Sequence, residues 1–259
     1  MKSSKVFVFP SYEGGWEISI CEAMERLATK LSDIVIVVSE QERNFVRTEY
    51  GTSELNVFVV PNVIEMQREH YSVEELTSPM KEWGLENKII VTFVGDLKSV
   101  QNRDAVEYIT GILAPCFYEK RKDVVFLIIG AGERFFKYRL PNVVFTGFIK
   151  GLTPFLDISD VCIAPLRVGA GVKTKILTYM IYGKPIVTTP VGIQGNVDKM
   201  DSVIVTNLDQ FADTLLKALD ALNDLKQRAK KNQSIIKDVY STDALEQELE
   251  KILEYATQR

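Results

Sequence analysis

Two lysines, a threonine and a set of glycine turns are the residues whose types and spacing could do chemistry in this chain. The segment from Pro165 to Gly192 reads PLRVGAGVKTKILTYMIYGKPIVTTPVG. Gly169, Ala170 and Gly171 let backbone come close to a ligand. A helix then begins near Val172 or Lys173, and its free N–H groups lie beside Lys173, Thr174 and Lys175. A helix N-terminus with two cations makes an anion site, and a diphosphate suits it, because its charge needs both donors and cations. Ile176, Leu177, Met180 and Ile181 fall on one side of that helix and are expected to face the core. Lys175, Thr178 and Tyr182 lie at i, i+3 and i+7 on another side. Lys175 is therefore the stronger phosphate ligand and Lys173 is expected to be solvated. On spacing alone, a glycine turn followed by a solvated helix with two surface lysines remains an equal alternative. The Walker pattern GxxxxGK[ST] is absent, so an ATPase reading is poor.

Three further turns follow apolar runs. Gly130-Ala131-Gly132-Glu133 reads first as a plain strand-to-helix turn; it could also let a nucleoside approach, but position 135 is Phe, so GxGxxG is not met. Phe93-Val94-Gly95-Asp96 and Gly147-Phe148-Ile149 also end apolar runs, and the latter offers backbone edges and a ring to a base. Phe135-Phe136 reads as core or interface rather than as a stacking platform.

The elements that must position these turns are legible as alternation. Continuous apolar runs recur at 34–38, 57–60, 89–94, 124–129, 143–145, 161–164, 186–188 and 203–205, as in strands covered on both faces. Helical periodicity falls between them at about 17–31, 40–50, 72–84, 102–121, 153–159, 173–183, 208–222, 223–238 and 242–257. That predicts an α/β fold with a parallel sheet and ligands at the strands' carboxyl ends. A boundary falls near Pro61–Glu65, dividing a segment 1–63 from a domain 64–240, with a terminal helix 241–259 capped by Ser241.

The 259 residues carry a net charge of −4, so no global basic field points to nucleic acid. Three scattered cysteines and a single histidine, His70 in a polar stretch, give no support to a metal site or to His-dependent catalysis. Cys162 sits in an apolar run and reads as core. No run approaches the roughly 18 apolar residues of a membrane span. The expected location is cytoplasmic, with the membrane surface as an option.

The order of motifs resembles the C-terminal, donor-binding domain of two-domain GT-B glycosyltransferases, in particular the family 4 retaining enzymes. The resemblance rests on FVGDLKSVQNRDAVEYI (93–109), VVFLIIGAGE (124–133), the stretch 141–195 and the closing helices. Residues 31–63, with Val60-Pro61-Asn62-Val63, look like the end of the family's N-terminal domain. The resemblance implies a Rossmann-like donor domain facing a second domain, here an incomplete N-terminal α/β part. It implies sugar transfer from a UDP or GDP sugar to a glycan, lipid or protein, with retention and no cofactor or metal. Lys173 and Lys175 match the basic positions of the family's GxGxRxK segment, and Gly169–Val172 match the loop against sugar and phosphates. Phe148 matches the base-binding turn. The family's ribose-binding Glu is replaced by Thr178, which can still hydrogen-bond a hydroxyl without charge. Because of the short N-terminal part, the other reading is a non-catalytic nucleotide-sugar-binding subunit. A second copy or another chain would then complete it. An NAD-dependent oxidoreductase lacks its GxGxxG here.

Overall fold

The computed structural model describes residues 6–8, 15–53, 56–63, 72–136, 140–169, 171–195 and 200–258. Its main sheet has six parallel strands in the order β6-β5-β4-β7-β8-β9. They are β4 (Ile89–Val94), β5 (Val124–Ile129), β6 (Val143–Gly147), β7 (Val161–Ala164), β8 (Ile186–Thr188) and β9 (Val203–Val205). The six continuous apolar runs from Ile89 to Val205 thus form one parallel sheet, as expected, and its order is the doubly wound one that reverses between its first and fourth strands. Phe117 packs edge-on against Phe126, and Tyr108 against Phe211, in the layers on the strands. Phe93, Phe117, Phe126, Tyr179 and Phe211 are fully buried, and so is Cys162.

The helices alternate with these strands. They are α3 (Val73–Glu82), α4 (Val100–Tyr108), α5 (Ala114–Lys120), α6 (Thr153–Ile158), α7 (Thr174–Ile181), α8 (Pro190–Ile193), α9 (Leu208–Asp220), α10 (Leu222–Val239) and α11 (Thr242–Thr257). The single helix expected over 102–121 is broken into α4 and α5 by a π-helical turn, Ile109–Leu113. Pro115 explains the turn: it has no N–H to give the carbonyl four residues back and its ring crowds that carbonyl, so the chain widens. The short α8 was not foreseen.

A second sheet of three parallel strands, β1 (Val6–Val8), β2 (Ile34–Val37) and β3 (Val57–Val59), carries α1 (Gly15–Leu31) and α2 (Glu40–Tyr50). The strand β1 escaped the reading of the sequence. Val46 and Tyr50 of α2 bury against Val35, Val37 and Val57. Ser39 caps α2, with its hydroxyl accepting from the Glu42 amide at 3.2 Å, and Gly51 closes the helix at φ 67°. The terminal helix α11 starts on the expected Ser241 cap, which accepts from the Ala244 amide at 3.0 Å. It returns to the smaller sheet, where the Tyr255 hydroxyl donates to Asn56 Oδ1 at 2.7 Å and its ring meets Phe58 edge-on.

Candidate functional site

Where the strand order reverses, the loops after β4 and β7 must part, and an open α/β sheet takes its ligands there. A cleft of about 1460 Å³ opens at this point. One wall comes from Gly95, Asp96, Gln101 and Asn102 after β4 and from Gly171–Lys175 with Thr178 after β7. The facing wall is the start of α2, with Ser39, Gln41 and Glu42, and the α1 residues Cys21, Glu22 and Glu25.

Of the residues singled out by sequence, Gly95, Gly171, Val172, Lys173, Thr174, Lys175 and Thr178 line this cleft. Gly130, Phe148 and Gly169 are not among its lining residues, Ala170 lies outside the described residues, and so does His70. Gly130 has a different job. It sits at φ 144°, and a β-carbon there would fall 1.9 Å from the Gly95 carbonyl oxygen. Only glycine lets the ends of β4 and β5 approach this closely. At Gly169 the place of a β-carbon is taken by the Gln101 side-chain oxygen, 2.2 Å away. Phe148 stands 77 % exposed beyond β6.

The helix α7 begins at Thr174, with Lys173 as its N-cap, and Ile176, Leu177, Met180 and Ile181 are buried as the periodicity requires. The Lys175 ammonium donates to Asn102 Oδ1 at 2.5 Å and lies 4.1 Å from the centre of the Phe93 ring. An amide oxygen and a ring face attract the cation without cancelling it. Burial pulls its pKa down to about 7, and the nearby Lys173 charge adds to the effect. The lowered pKa means that the empty site holds its charge at a cost that an arriving anion would relieve.

Lys173 is not solvated as expected; it is 6 % exposed, and its ammonium donates to the Gly171 carbonyl at 3.2 Å. The side chain folds back across the glycine turn and gives that carbonyl a donor. Thr178 faces the cleft, and its hydroxyl donates to the Thr174 carbonyl at 3.0 Å, leaving its lone pairs for a ligand's hydroxyl. Phe136 stacks on Phe145 at 5.5 Å, both half-buried against the core. Phe135, by contrast, is 43 % exposed, with the guanidinium groups of Arg103 and Arg134 at 5.0 and 5.6 Å from its ring centre.

Reading the sequence missed the facing wall and the residues under the glycine loop. Ser39-x-x-Glu42 has the spacing of a capping box, which was there to be read, although Glu42 Oε2 accepts from the Val38 amide, one residue before the cap, at 3.0 Å. The other Glu42 oxygen points at Gly171, 3.7 Å from where a side chain would begin. Gln41 Oε1 accepts from the Gly195 amide at 2.9 Å, tying the start of α2 to the turn after α8. Asn102 and Gln101 carry no local signal, since their roles exist only once the loops after β4 and β7 meet.

Among the described residues no cluster of His, Cys, Asp or Glu could hold a metal ion, and no helix is long and apolar enough to cross a membrane. Residues 88–221 match the family model described as "Glycosyl transferases group 1". In fold the chain is similar to HepE of Anabaena in complex with UDP, at a TM-score of 0.77 and 16% identity over 96% of this chain and 71% of that one. It is equally similar to a glycosyltransferase from Rickettsia africae, at 0.77 and 14% identity over 98% of this chain and 71% of the other. Sucrose-phosphate synthase from Thermosynechococcus elongatus follows, at 0.72 and 14% identity over 95% and 64% of the two chains. No curated protein sequence matches the chain significantly.

Proposed function

The chain belongs to the group 1 glycosyl transferases, and from that premise we propose that its cleft binds a nucleoside diphosphate sugar and delivers the sugar to an acceptor nucleophile. The observation that carries this reading is Lys175, a cation held by an amide and a ring at the start of α7, where the sheet reverses. A departing diphosphate gathers negative charge, and a fixed cation beside a helix N-terminus stabilises it as the bond to the sugar breaks. Lys173 holds the glycine turn so that the Gly171–Thr174 backbone can face the phosphates. Gly95 admits the nucleoside, with Gly130, Gly169 and Phe148 shaping the loops around it. The donor is a UDP sugar, in keeping with the UDP bound to HepE of Anabaena. We infer transfer with retention and without metal, phosphate charge being met by lysine and backbone donors. A thermal-shift series with UDP, GDP and their sugars tests the reading, because a ligand that binds only the folded chain raises its melting temperature. No shift with any of them at millimolar concentration would reject it.

Thr178 takes the ribose in this reading. Glutamate in its place would accept the ribose hydroxyls with charge, worth about 1.5–3 kcal/mol. Thr178→Glu gains the difference between the charged and the neutral bond, about 1–1.5 kcal/mol, and should therefore tighten UDP binding by roughly tenfold, while Thr178→Val should loosen it a few-fold, within the 0.5–1.5 kcal/mol of a neutral bond. Titration calorimetry decides; a Glu variant that binds no better removes Thr178 from the ribose site.

One observation favours a second reading, in which the chain binds donor but turns over only with another chain. Ile20, Met24, Leu27 and Leu31 recur at helical spacing along α1 and are each between 52% and 63% exposed. A stripe of that kind is expected to be covered. Light scattering on the purified chain should show a dimer or larger species, and sugar transfer should rise with chain concentration. A monomer turning over at about 1 s⁻¹ or faster would end this reading.

A further inference from the structure

The loop after β4 contributes no cation of its own to the cleft wall, yet it determines where the cation of α7 stands. Asn102 is 8 % exposed and has two partners. Its Nδ2 donates to the Asp96 carbonyl at 2.9 Å, and its Oδ1 accepts from the Lys175 ammonium at 2.5 Å. The first bond fixes the second. A carbonyl can only accept, so the NH₂ end of the amide must face Asp96 and the oxygen must face Lys175. Gly95 keeps the space open, since a β-carbon there would lie 2.7 Å from Asn102 Cγ. The Phe93 ring, 4.1 Å from the ammonium, supplies a third wall.

We propose that Asn102 is a positioning residue, whose amide oxygen aims Lys175 at the diphosphate while leaving its positive charge unpaired. The inference rests on the nucleotide-sugar reading above. A carboxylate at this position would aim the lysine equally well, and would also neutralise it. A neutral amide oxygen gives direction without cancelling the charge that a diphosphate needs. The other charges around the ammonium fit this division. Lys173 shares the glycine turn and is tied to the Gly171 carbonyl. The Asp96 side chain is turned back onto the Lys98 amide at 3.0 Å. On the facing wall Glu42 is engaged by the Val38 amide. The Tyr179 phenol, on the same helix, accepts from the Val94 amide at 2.8 Å.

The pH dependence of UDP binding separates positioning from plain structural support. Burial lowers the Lys175 pKa to about 7, so the empty site loses its charge as pH rises past neutrality. A bound diphosphate opposes that loss. Wild-type affinity for UDP, measured by calorimetry between about pH 6 and pH 8.5, should fall by roughly tenfold or more toward the alkaline end. In Asn102→Asp the pair is neutral throughout, so binding should be at least about tenfold weaker at pH 6 and flat with pH. In Asn102→Ala the ammonium loses its amide acceptor while the Phe93 ring still covers it, so its pKa should move further down and affinity should already be falling at pH 6, where the wild type is still level. The Ala variant adds no charge, so a failure of Asn102→Asp to fold leaves the question answerable. Variant curves that run parallel to the wild type, merely displaced in affinity, would overturn the positioning role and leave the donor site standing. A wild type that binds neither UDP nor GDP would overturn the donor reading, and the inference with it.

Discussion

Replacing Lys175 with alanine should weaken binding of a nucleoside diphosphate by about 10- to 150-fold, the equivalent of losing one charge-assisted contact of 1.5–3 kcal/mol. Sugar transfer should suffer more, by roughly 10²–10³ in rate, because the charge on the departing phosphate is greatest in the transition state. Folding should not suffer. The ammonium is buried against the Phe93 ring and Asn102, and its pKa of about 7 says that the empty fold carries the charge at a cost. In the unfolded chain the same group titrates near 10.4. The folded pKa is the lower of the two, so the burial cost is present in full below about pH 7 and is lost progressively between there and about pH 10. Lys175→Met, which fills the space without charge, should therefore raise the melting temperature most at or below neutral pH, while abolishing tight UDP binding. Stability gained and affinity lost in one variant is the signature of a group kept for function. Equal losses of both would mean that Lys175 is structural.

Gly130→Ala should be the most damaging single change in the loops around the site. The new methyl would fall 1.9 Å from the Gly95 carbonyl oxygen, on backbone at φ 144°, where side chains are strained. Overpacking and backbone strain each cost about 1–3 kcal/mol, so roughly 2–6 kcal/mol of stability should be lost. Backbone cannot step aside as a flexible side chain would. Any relaxation must move Gly95, and Asn102 and Lys175 behind it, so UDP affinity should fall in the molecules that still fold. Gly111→Ala is the matched control, since a β-carbon there meets nothing within 4 Å. Denaturant unfolding of the two variants measures the contrast. A Gly130→Ala midpoint within experimental error of the wild type would show that the strand ends are not as tightly packed as described.

The main sheet was legible because its strands are covered on both faces, so each reads as an unbroken apolar run. Ile89–Val94 and Val124–Ile129 keep even their expected ends. The strand Val6–Val8 was not legible, being three residues long beside a proline and a glycine pair. The π turn at Ile109–Leu113 was hidden because helical periodicity runs on through it, and only Pro115 marks the place. The glycine loop and both lysines stood out by type and spacing. That neither lysine is exposed did not, since burial of Lys173 depends on a carbonyl two residues away. Asn102 lies 73 residues before Lys175 in the chain, and no local pattern links them. The sequence announces chemistry where a turn and a helix start are neighbours in the chain. It conceals chemistry assembled from separate loops.

A structure of the chain with bound UDP tests the central claim most directly. The diphosphate should lie at the switch point between β4 and β7. At least one of its oxygens should lie within about 3.2 Å of the Lys175 ammonium and of the backbone amides that follow Gly171. The ribose should lie beside Thr178. UDP found instead on the exposed Arg103–Phe135–Arg134 surface, or anywhere that leaves Lys175 bonded to Asn102 alone, would contradict it.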